Sequence, residues 1–518
     1  MTKRLVFCAF TMNTVSHIYH GLWRHPRTRQ LAYTDLTTWT ELAKLLERGK
    51  FDAIFLADVI GLYGDYRGGW DTYVREGLQI PSNDPSVLIS ALASVTEHLG
   101  MVFTSSVIQE HPFNFARKVS TLDHLTKGRI AWNIVTNALV NGARNFGLDD
   151  LTEHDERYRW AQEYLEVVYK LWEGSWEDDA LLRDVRNSIY ADPAKIHKIN
   201  HRGQRYRVEG PHLSEPSPQR TPVLAQAGSS SAGREFASLH AEAQFIVAPR
   251  PEIAKSYIQE IRARVTACGR RPADIMFLQG LTFVIGSTEA EARRKEAEID
   301  EYLSVDGMLA HLSGATGVDF GDMAWDQPIG QVAVEGVRSI LQGVVAGVGD
   351  KRAATVGDVA RSLGEGTRVT GTPEQIADRL EAWAAAGVDG INVMYTTTPG
   401  TFEDFIEYLA PELQRRGLMQ REYRPGTFRE KLFGAGPLLP ERHVGRVVQA
   451  SSFAEIGHGT LVRVRTTTRW KRRRHTDPNR FCVTHTDRRC TVILTSSEPS
   501  MVDHEYCYHP CRSRTARE

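Results

Sequence analysis

Residues 222–242, PVLAQAGSSSAGREFASLHAE, run from an apolar stretch through three serines into a helical pattern. Such a strand, turn and helix can hold an anion such as phosphate, because backbone N–H groups and a helix N-terminus attract negative charge. Ser229 and Ser230 are therefore candidate anion-binding residues. The turn is not a Walker A loop, since Arg234 follows Gly233, and it lacks the glycine spacing of a dinucleotide fingerprint or a nucleophile elbow. The alternative is that the serines only cap the helix.

Polar residues also close several short apolar runs. Asp58 ends the run AIFLAD, Thr104 lies in MVFTSSV, and Asn133 lies in IAWNIVT. A lone carboxylate at the end of a buried strand is costly to bury without a partner or a function, so Asp58 is the strongest of these candidates. The competing interpretation is that Asp58 caps a helix or forms a loop salt bridge, and that Asn133 bonds only to turn backbone.

One helix start carries a further pair of candidates. In EHDERYRW, His154 and Tyr158 stand four residues apart and share one helix face, where both can contact one ligand. The alternative is a solvated or half-buried pair without a ligand. No metal site is predicted, because the histidine pairs of the chain lack a companion cysteine pair or carboxylate cluster. Since no strong nucleophile or acid–base motif is present, we expect a cofactor to carry the chemistry.

The elements that must position these residues alternate regularly along the chain. Eight apolar runs are typical of buried parallel strands, and amphipathic helical stretches lie between them. The runs occupy 5–12, 53–58, 101–107, 130–136, 222–228, 243–248, 276–286 and 390–395. This pattern predicts an α/β fold, specifically a (β/α)8 TIM barrel with its active site at the C-terminal ends of the strands. Insertions are predicted near 175–220, after the fourth strand, and near 288–370, after the seventh.

The composition is typical of a soluble globular protein, with 518 residues, 41% hydrophobic and 25% charged residues, and a net charge of -1. These totals favour neither nucleic acid nor a membrane as a partner, and no signal peptide or membrane span is recognisable. We therefore expect a cytoplasmic protein with its catalytic domain at 1–445. The tail at 446–518 holds 14 Lys and Arg against 7 Asp and Glu, and four of the six cysteines. We expect it to be disordered, with a metal-binding appendage as the alternative.

A series of longer motifs in a fixed order resembles one known family. The motifs include GLWRHP (21–26), ERGKFDAIFLAD (47–58), ARKVSTLDHLTKGRIAWNIVT (116–136), ARNFGLDDLTEHDERY (143–158), GTPEQIADRL (371–380) and YRPGTFREKL (423–432). From about residue 4 to 440 the chain resembles the flavin-dependent monooxygenases related to bacterial luciferase. Within them it is similar to the branch of nitrilotriacetate monooxygenase component A, dibenzothiophene sulfone monooxygenase and pristinamycin IIA synthase.

This resemblance implies a TIM barrel that binds FMN as FMNH2 and uses O2 as co-substrate to oxidise a small organic substrate. It also implies a separate NAD(P)H:flavin oxidoreductase that supplies FMNH2, and a homodimer or homotetramer. Carried over by motif, the FMN site comprises Asp58, Thr104, Asn133, His154, Tyr158, Ser229 and Ser230. The first three would lie near the isoalloxazine ring, and the other four would hold the ribityl phosphate end.

The first βα loop supplies the candidates for acid–base assistance, His17 and His20. The alternative is that both are surface loop histidines. Two other functions stay open, namely a deazaflavin-dependent oxidoreductase on the same barrel and a flavin-binding protein without turnover. The loop SSVIQEHPFNFARK, after the third strand, departs from the aromatic-rich stretch of the family, so no relative defines the substrate.

Overall fold

Eight parallel strands form a closed barrel in the computed structural model, which describes residues 3–328, 355–357 and 367–446. The strands are β1 Val6–Met12, β2 Ala53–Ala57, β3 Gly100–Ser106, β4 Ile130–Val135, β5 Val223–Gln226, β6 Ala243–Ile246, β7 Met276–Ile285 and β8 Gly390–Met394. Each strand pairs with the next, and β8 pairs with β1 from Val6 and Gly390 onward, which closes the barrel. The predicted (β/α)8 TIM barrel is confirmed, and each predicted apolar run overlaps one strand.

Helices connect the strands. They are α1 Leu36–Arg48, α2 Asp71–Glu76, α3 Pro85–Ser94, α4 Pro112–Leu125, α5 Val140–Asn145, α6 His154–Gly174, α7 Ser231–His240, α8 Pro251–Ala267, α9 Glu289–Tyr302, α10 Val305–Thr316, α11 Pro373–Ala385, α12 Gly400–Asp404, α13 Ala410–Arg416 and α14 Phe428–Phe433. A π-helical turn, Phe405–Leu409, joins α12 to α13. Local sequence explains several helix starts, such as that of α11, where Thr372 and Gln375 form a capping box.

Two segments extend the barrel where the insertions are predicted. Between α6 and β5, short hairpins pair Leu181–Asp184 with Ile189–Ala191 and His201–Arg202 with Arg207–Val208. After β7, the second insertion holds α9, α10 and a short strand, Arg368–Gly371, which pairs with the second half of β7. Residues 329–354 and 358–366 of this insertion lie outside the described residues, and so does the predicted disordered tail beyond Arg446.

Side chains that alternate along each strand belong to two different hydrophobic clusters, one on each face of the sheet. On β3, Val102 belongs to the cluster inside the barrel, whereas Met101 and Phe103 belong to the larger cluster that also includes helix residues. Because successive side chains of a strand point to opposite faces, Thr104 and Ser106 share the inward direction of Val102. The C-terminal half of β3 therefore turns polar side chains toward the barrel axis.

Three carboxylates tie neighbouring strands together at the N-terminal end of the barrel. Asp52 precedes β2 and accepts the N–H of Phe7 on β1 at 2.9 Å, Glu242 precedes β6 and accepts the N–H of Leu224 on β5 at 3.0 Å, and Asp389 precedes β8 and accepts the N–H of Phe277 on β7 at 2.9 Å. In each case the acid stands one residue before a strand and bonds to the preceding strand. These bonds satisfy strand N–H groups at the end of the sheet that faces away from the predicted active site.

Helix α14 closes the same end of the barrel. Phe428 is 3% exposed and belongs to the interior cluster, and a Cβ on Gly100 would overlap its ring. The neighbouring Arg429 donates to the two carboxylate oxygens of Glu242 at 2.7 and 2.9 Å, and both side chains are buried. The segment that carries α14 is therefore part of the barrel fold.

We expect Phe428→Ala to lower the free energy of unfolding by about 3–5 kcal/mol, because it leaves a cavity under the closed end of the barrel. Urea denaturation followed by circular dichroism measures the change. Phe146→Ala is the matched control, since Phe146 is 42% exposed and its loss leaves no cavity. Equal stability of the two variants would contradict the role assigned to Phe428.

Candidate active site

Polar side chains of β3 and β4 line the barrel interior near its C-terminal end. Asn133 Nδ2 donates to Thr104 Oγ1 at 3.0 Å, and the two residues are partners in the strand register. Both side chains are buried, yet Asn133 Oδ1 and Ser106 Oγ have no hydrogen-bond partner. Buried polar atoms nearly always have partners in native proteins. These two atoms are available to a bound molecule, and the Asn133 side chain does not serve only turn backbone.

Asp58 directly follows β2, and its carboxyl is largely withdrawn from solvent. Burial raises the pKa of Asp58 to about 7, with a further contribution from the charge of Asp84. Hydrogen bonds with the Val59 N–H and with Gln109 act in the opposite direction but do not offset burial. The helix cap in this loop is Asp84, which accepts the N–H of Ser86 at the start of α3. Among the described residues no helix cap and no salt bridge involves Asp58, so this part of the chain gives no support to that interpretation.

The turn between β5 and α7 is a cradle in which a Cβ added at either of two glycines would displace neighbouring atoms. A Cβ on Gly228 would overlap the hydroxyl oxygen of Tyr158, and a Cβ on Gly233 would lie 2.8 Å from the same atom. Ser230 is the N-cap of α7, and its Oγ accepts the N–H of Gly233 at 3.1 Å. The helix cap considered as the alternative is therefore present. It occupies one N–H group, and other N–H groups of the first helical turn have no intrahelical partner.

Tyr158 faces this cradle, whereas its predicted companion lies at the surface. The Tyr158 hydroxyl hydrogen-bonds with Ser230 and Gln226, and burial raises the pKa of Tyr158. The ring of His154 lies 5.3 Å from the ring of Tyr158, between centroids. Its side chain is 46% exposed, however, and Nδ1 lies 2.8 Å from a carboxylate oxygen of Asp155. The structure thus joins Tyr158 to the serine turn and leaves His154 at the rim.

Both histidines of the first βα loop are buried. His17 is 5% exposed and His20 is 0% exposed, so the alternative of surface loop histidines is wrong. Burial lowers the pKa of His17 to about 3, and it lowers the pKa of His20 well below its usual value. Both rings are therefore neutral at pH 7. The Nδ1 atom of His17 is buried without a hydrogen-bond partner.

A third buried histidine, His311 on α10, joins this cluster. His20 Nε2 lies 2.8 Å from His311 Nδ1 across a separation of 291 residues, and His20 Nδ1 lies 2.7 Å from Ser16 Oγ. Burial lowers the pKa of His311 to about 4. No motif predicts this residue, because the second insertion brings it to the barrel. The one available signal is a histidine inside the apolar helical stretch GMLAHLSGA.

Residues 58–84 and α10 pack together at this end of the barrel, and we call them the roof. Tyr63 donates from its hydroxyl to Gln79 Oε1 at 3.2 Å, and Gln79 Nε2 donates to the carbonyl of His17 at 2.9 Å. The ring of Tyr63 stacks on Tyr73 at 5.7 Å, and the Tyr73 hydroxyl donates to the carbonyl of Ala310 at 2.7 Å. The roof thereby connects the first βα loop to the second insertion.

Three phenylalanines, which we call the apolar floor, lie beside His17. The ring centroids of Phe10 and Phe55 are 5.1 Å apart, those of Phe10 and Phe245 are 4.9 Å apart, and the ring of His17 lies 4.8 Å from that of Phe10. Phe10 and Phe55 belong to the cluster inside the barrel. The strand-end polar atoms and the neutral histidines therefore stand next to an aromatic, uncharged surface.

The part of the chain that the structure describes has no group of three or more His, Cys, Asp or Glu side chains arranged to hold a metal ion. None of its helices is both long and apolar enough to cross a membrane. Residues 18–390 match the Luciferase-like monooxygenase family. The chain belongs to this family.

Two relatives of this luciferase-like chain match it over more than nine-tenths of their own length. The long-chain alkane monooxygenase of Geobacillus thermodenitrificans (strain NG80-2) is 49% identical over 447 residues, which cover 86% of this chain and 98% of that protein. The dimethyl-sulfide monooxygenase of Hyphomicrobium sulfonivorans is 46% identical over 438 residues, covering 84% and 91%. A crystal structure of a riboflavin lyase with modified FMN and its substrate riboflavin is 36% identical, covers 86% of this chain and all of that one, and has a TM-score of 0.79.

The residues of this luciferase-like barrel fit a flavin mononucleotide. A flavin ring offers polar edges, and the unpartnered Asn133 Oδ1 and Ser106 Oγ are polar atoms at the strand ends. A phosphate needs N–H donors and close backbone approach, which the Gly228 and Gly233 cradle and the start of α7 provide. The fit rests on these buried atoms and on the missing Cβ groups, which are features of this chain itself.

The raised pKa of Asp58 predicts a pH-dependent difference between the wild type and Asp58→Asn. The folded wild type keeps the proton up to about pH 7, whereas the unfolded chain loses it near pH 3.8. The free energy of unfolding of the wild type therefore falls between these pH values, relative to the variant, and the difference is constant above pH 7.

Urea denaturation of both proteins from pH 4 to pH 8 measures this difference. Asp84→Asn is the control. Removing the charge of Asp84 lowers the pKa of Asp58, so the free energy of unfolding should fall over a narrower range of pH. A difference that does not change with pH would show that Asp58 is not protonated in the folded protein.

Proposed function

We propose that this chain is the oxygenase component of a two-component, FMNH2-dependent monooxygenase that oxidises a small, uncharged organic substrate with O2. The observation that carries the proposal is the glycine cradle at α7, which faces Tyr158 and suits one phosphate group. An NAD(P)H:flavin oxidoreductase would supply FMNH2. We also propose that the protein acts in the cytoplasm. It would form a homodimer or homotetramer, as the family resemblance implies.

The proposed site divides FMN between two groups of residues. Ser229, Ser230 and Tyr158 would hold the phosphate at the start of α7, with His154 at the rim of that end. The ring would lie near Asp58, Thr104 and Asn133, where Asn133 Oδ1 lacks a partner. Reduced FMN would supply the electrons that activate O2. The chain's own part is to orient the ring and to exclude water from it.

The hydrogen-bonded chain of Ser16, His20 and His311 is the proposed acid–base device. Its contacts use both ring nitrogens of His20 and the Nδ1 atom of His311, whereas the Nε2 atom of His311 takes no part in them. Since the rings are neutral, the protons of the chain can be arranged in two directions, so that Nε2 of His311 either accepts or donates a proton. In this arrangement His311 transfers the proton and His20 orients it. From the sequence alone, in contrast, the acid–base role is assigned to His17 or His20 directly.

An uncharged substrate is favoured by the apolar floor and by the neutral histidines. The pKa values of His17 and His311, about 3 and about 4, leave both rings without charge near neutral pH. Placing an ionised substrate against the rings of Phe10, Phe55 and Phe245 would cost solvation energy that these neighbours do not return. The names of the alkane and dimethyl-sulfide monooxygenases agree with this choice.

The experiment that tests this function couples the purified protein to an NAD(P)H:flavin oxidoreductase and measures O2 uptake and product formation. We expect FMN-dependent oxidation of uncharged probes such as an n-alkane or a dialkyl sulfide, and none of nitrilotriacetate. Gly228→Ala should abolish FMN binding, because a Cβ there overlaps Tyr158, whereas Gly436→Ala should not, because that position has open space.

Two results distinguish the alternative functions. Hydride transfer with a deazaflavin and no FMN binding would support the oxidoreductase. Tight FMN binding without oxidation of any probe in the panel would support a flavin-binding protein without turnover.

We expect His311→Gln to lower kcat by about 100-fold, because it removes the proposed proton-transferring ring. The affinity for FMN should stay within about twofold, since the residue lies away from the phosphate cradle. His124→Gln is the control, as His124 lies in the last turn of α4, contacts the carbonyl of Glu215 and takes no part in the histidine chain. An unchanged kcat in His311→Gln would remove this histidine from the mechanism.

A further inference from the structure

Arg234 follows Gly233, where a Walker A loop would carry its phosphate-binding lysine. Its guanidinium is bonded to other groups of the protein. Its Nε donates to the carbonyl of Ser229 at 2.8 Å, and its Nη1 donates to Glu260 on α8 at 2.6 Å. The guanidinium carbon lies 5.0 Å from the ring centroid of Tyr257. The side chain is therefore engaged with the turn's backbone and with α8.

Gln244 makes an equivalent contact with the preceding carbonyl. Its Nε2 lies 3.1 Å from the carbonyl oxygen of Gly228 and 2.8 Å from the hydroxyl of Tyr257. The side chain is 0% exposed, and its Oε1 is buried without a hydrogen-bond partner. Two consecutive carbonyls of the turn are thus each bonded to a side-chain donor.

Because the peptide bond is planar, these two contacts also fix the directions of the two N–H groups that follow the bonded carbonyls. In a trans peptide the C=O and N–H groups point in opposite directions, so fixing a carbonyl also fixes the N–H of the next residue. The Gly228 carbonyl sets the direction of the Ser229 N–H, and the Ser229 carbonyl sets that of the Ser230 N–H. Both N–H groups are thereby held pointing away from Gln244 and Arg234.

We propose that Arg234 is a positioning residue for the phosphate of FMN. It acts through the Ser229 carbonyl and Glu260, and it holds the peptide planes so that the N–H groups and not the carbonyl oxygens face the phosphate. The planar guanidinium can bond to a carbonyl and a carboxylate at once, which a lysine ammonium at the same place cannot do with the same geometry. This inference rests on the proposed FMN site and assigns how that site distinguishes FMN from riboflavin.

The test compares the affinities of the full-length protein for FMN and for riboflavin, which differ only by the phosphate. Flavin fluorescence titration gives both dissociation constants. We expect Arg234→Met and Arg234→Lys each to weaken FMN binding by about tenfold while riboflavin binding changes by less than about twofold. The lysine variant keeps the positive charge. A loss of FMN affinity in this variant therefore shows that Arg234 positions the turn and does not only attract the phosphate.

Arg264→Met is the matched control. Arg264 pairs with the same carboxylate, Glu260, at 2.9 Å and lies on α8, but it does not contact the turn. We expect this variant to keep the wild-type ratio of the two affinities. Arg234→Lys that retains the preference for FMN would overturn the proposal, as would equal weakening of both flavins in the two Arg234 variants.

The wild-type measurement separates failure of this inference from failure of the proposed function. A wild type that binds neither flavin overturns both. A wild type that binds FMN and riboflavin equally overturns the phosphate seat and the role of Arg234, but leaves a flavin site in place. A wild type that prefers FMN, with the preference intact in the Arg234 variants, overturns only the role of Arg234.

Discussion

The closure of the barrel between β8 and β1 is the constraint on which the other features depend. Because all eight strands are parallel, their C-terminal ends meet at one rim, and residues far apart in the chain become neighbours there. The carboxylates of Asp52, Glu242 and Asp389 bond to strand N–H groups at the opposite end. The strand N–H groups at one end of the sheet are thus bonded to carboxylates, whereas the other end carries buried polar side chains without partners.

The polar groups of the mouth are a cost to the folded chain. Asn133 Oδ1, Ser106 Oγ and His17 Nδ1 are buried without hydrogen-bond partners. Each such atom is destabilising by about 1–3 kcal/mol in the absence of a ligand. The rest of the barrel offsets this cost, because its strands are paired and Phe428 of α14 packs into its N-terminal end. A ligand that supplies the missing partners would recover part of it, which couples binding to stability.

Much of the fold could be predicted from the sequence, because the eight apolar runs follow the physical rule for buried parallel strands. The turn at Ser230 was predictable for the same reason, since strand, glycine, serine and helix are local features. The burial of His17 and His20 could not be predicted, because it depends on what covers the first loop. His311 could not be predicted either, since its contact with His20 joins residues 291 positions apart. Local patterns identify strands and caps, whereas contacts across the mouth require the closed barrel.

The two halves of the mouth are built from different parts of the chain, and this bears on how the family varies. The proposed phosphate cradle rests on Gly228 and Gly233, where an added Cβ would crowd the Tyr158 hydroxyl and displace it. The roof comes from the loop after β2 and from an insertion after β7, joined by contacts such as Tyr63 with Gln79. Loops and insertions can change without disturbing the strands that carry the proposed flavin site. Differences in substrate among related monooxygenases are therefore expected to follow the roof and the floor, while the cradle at α7 stays the same.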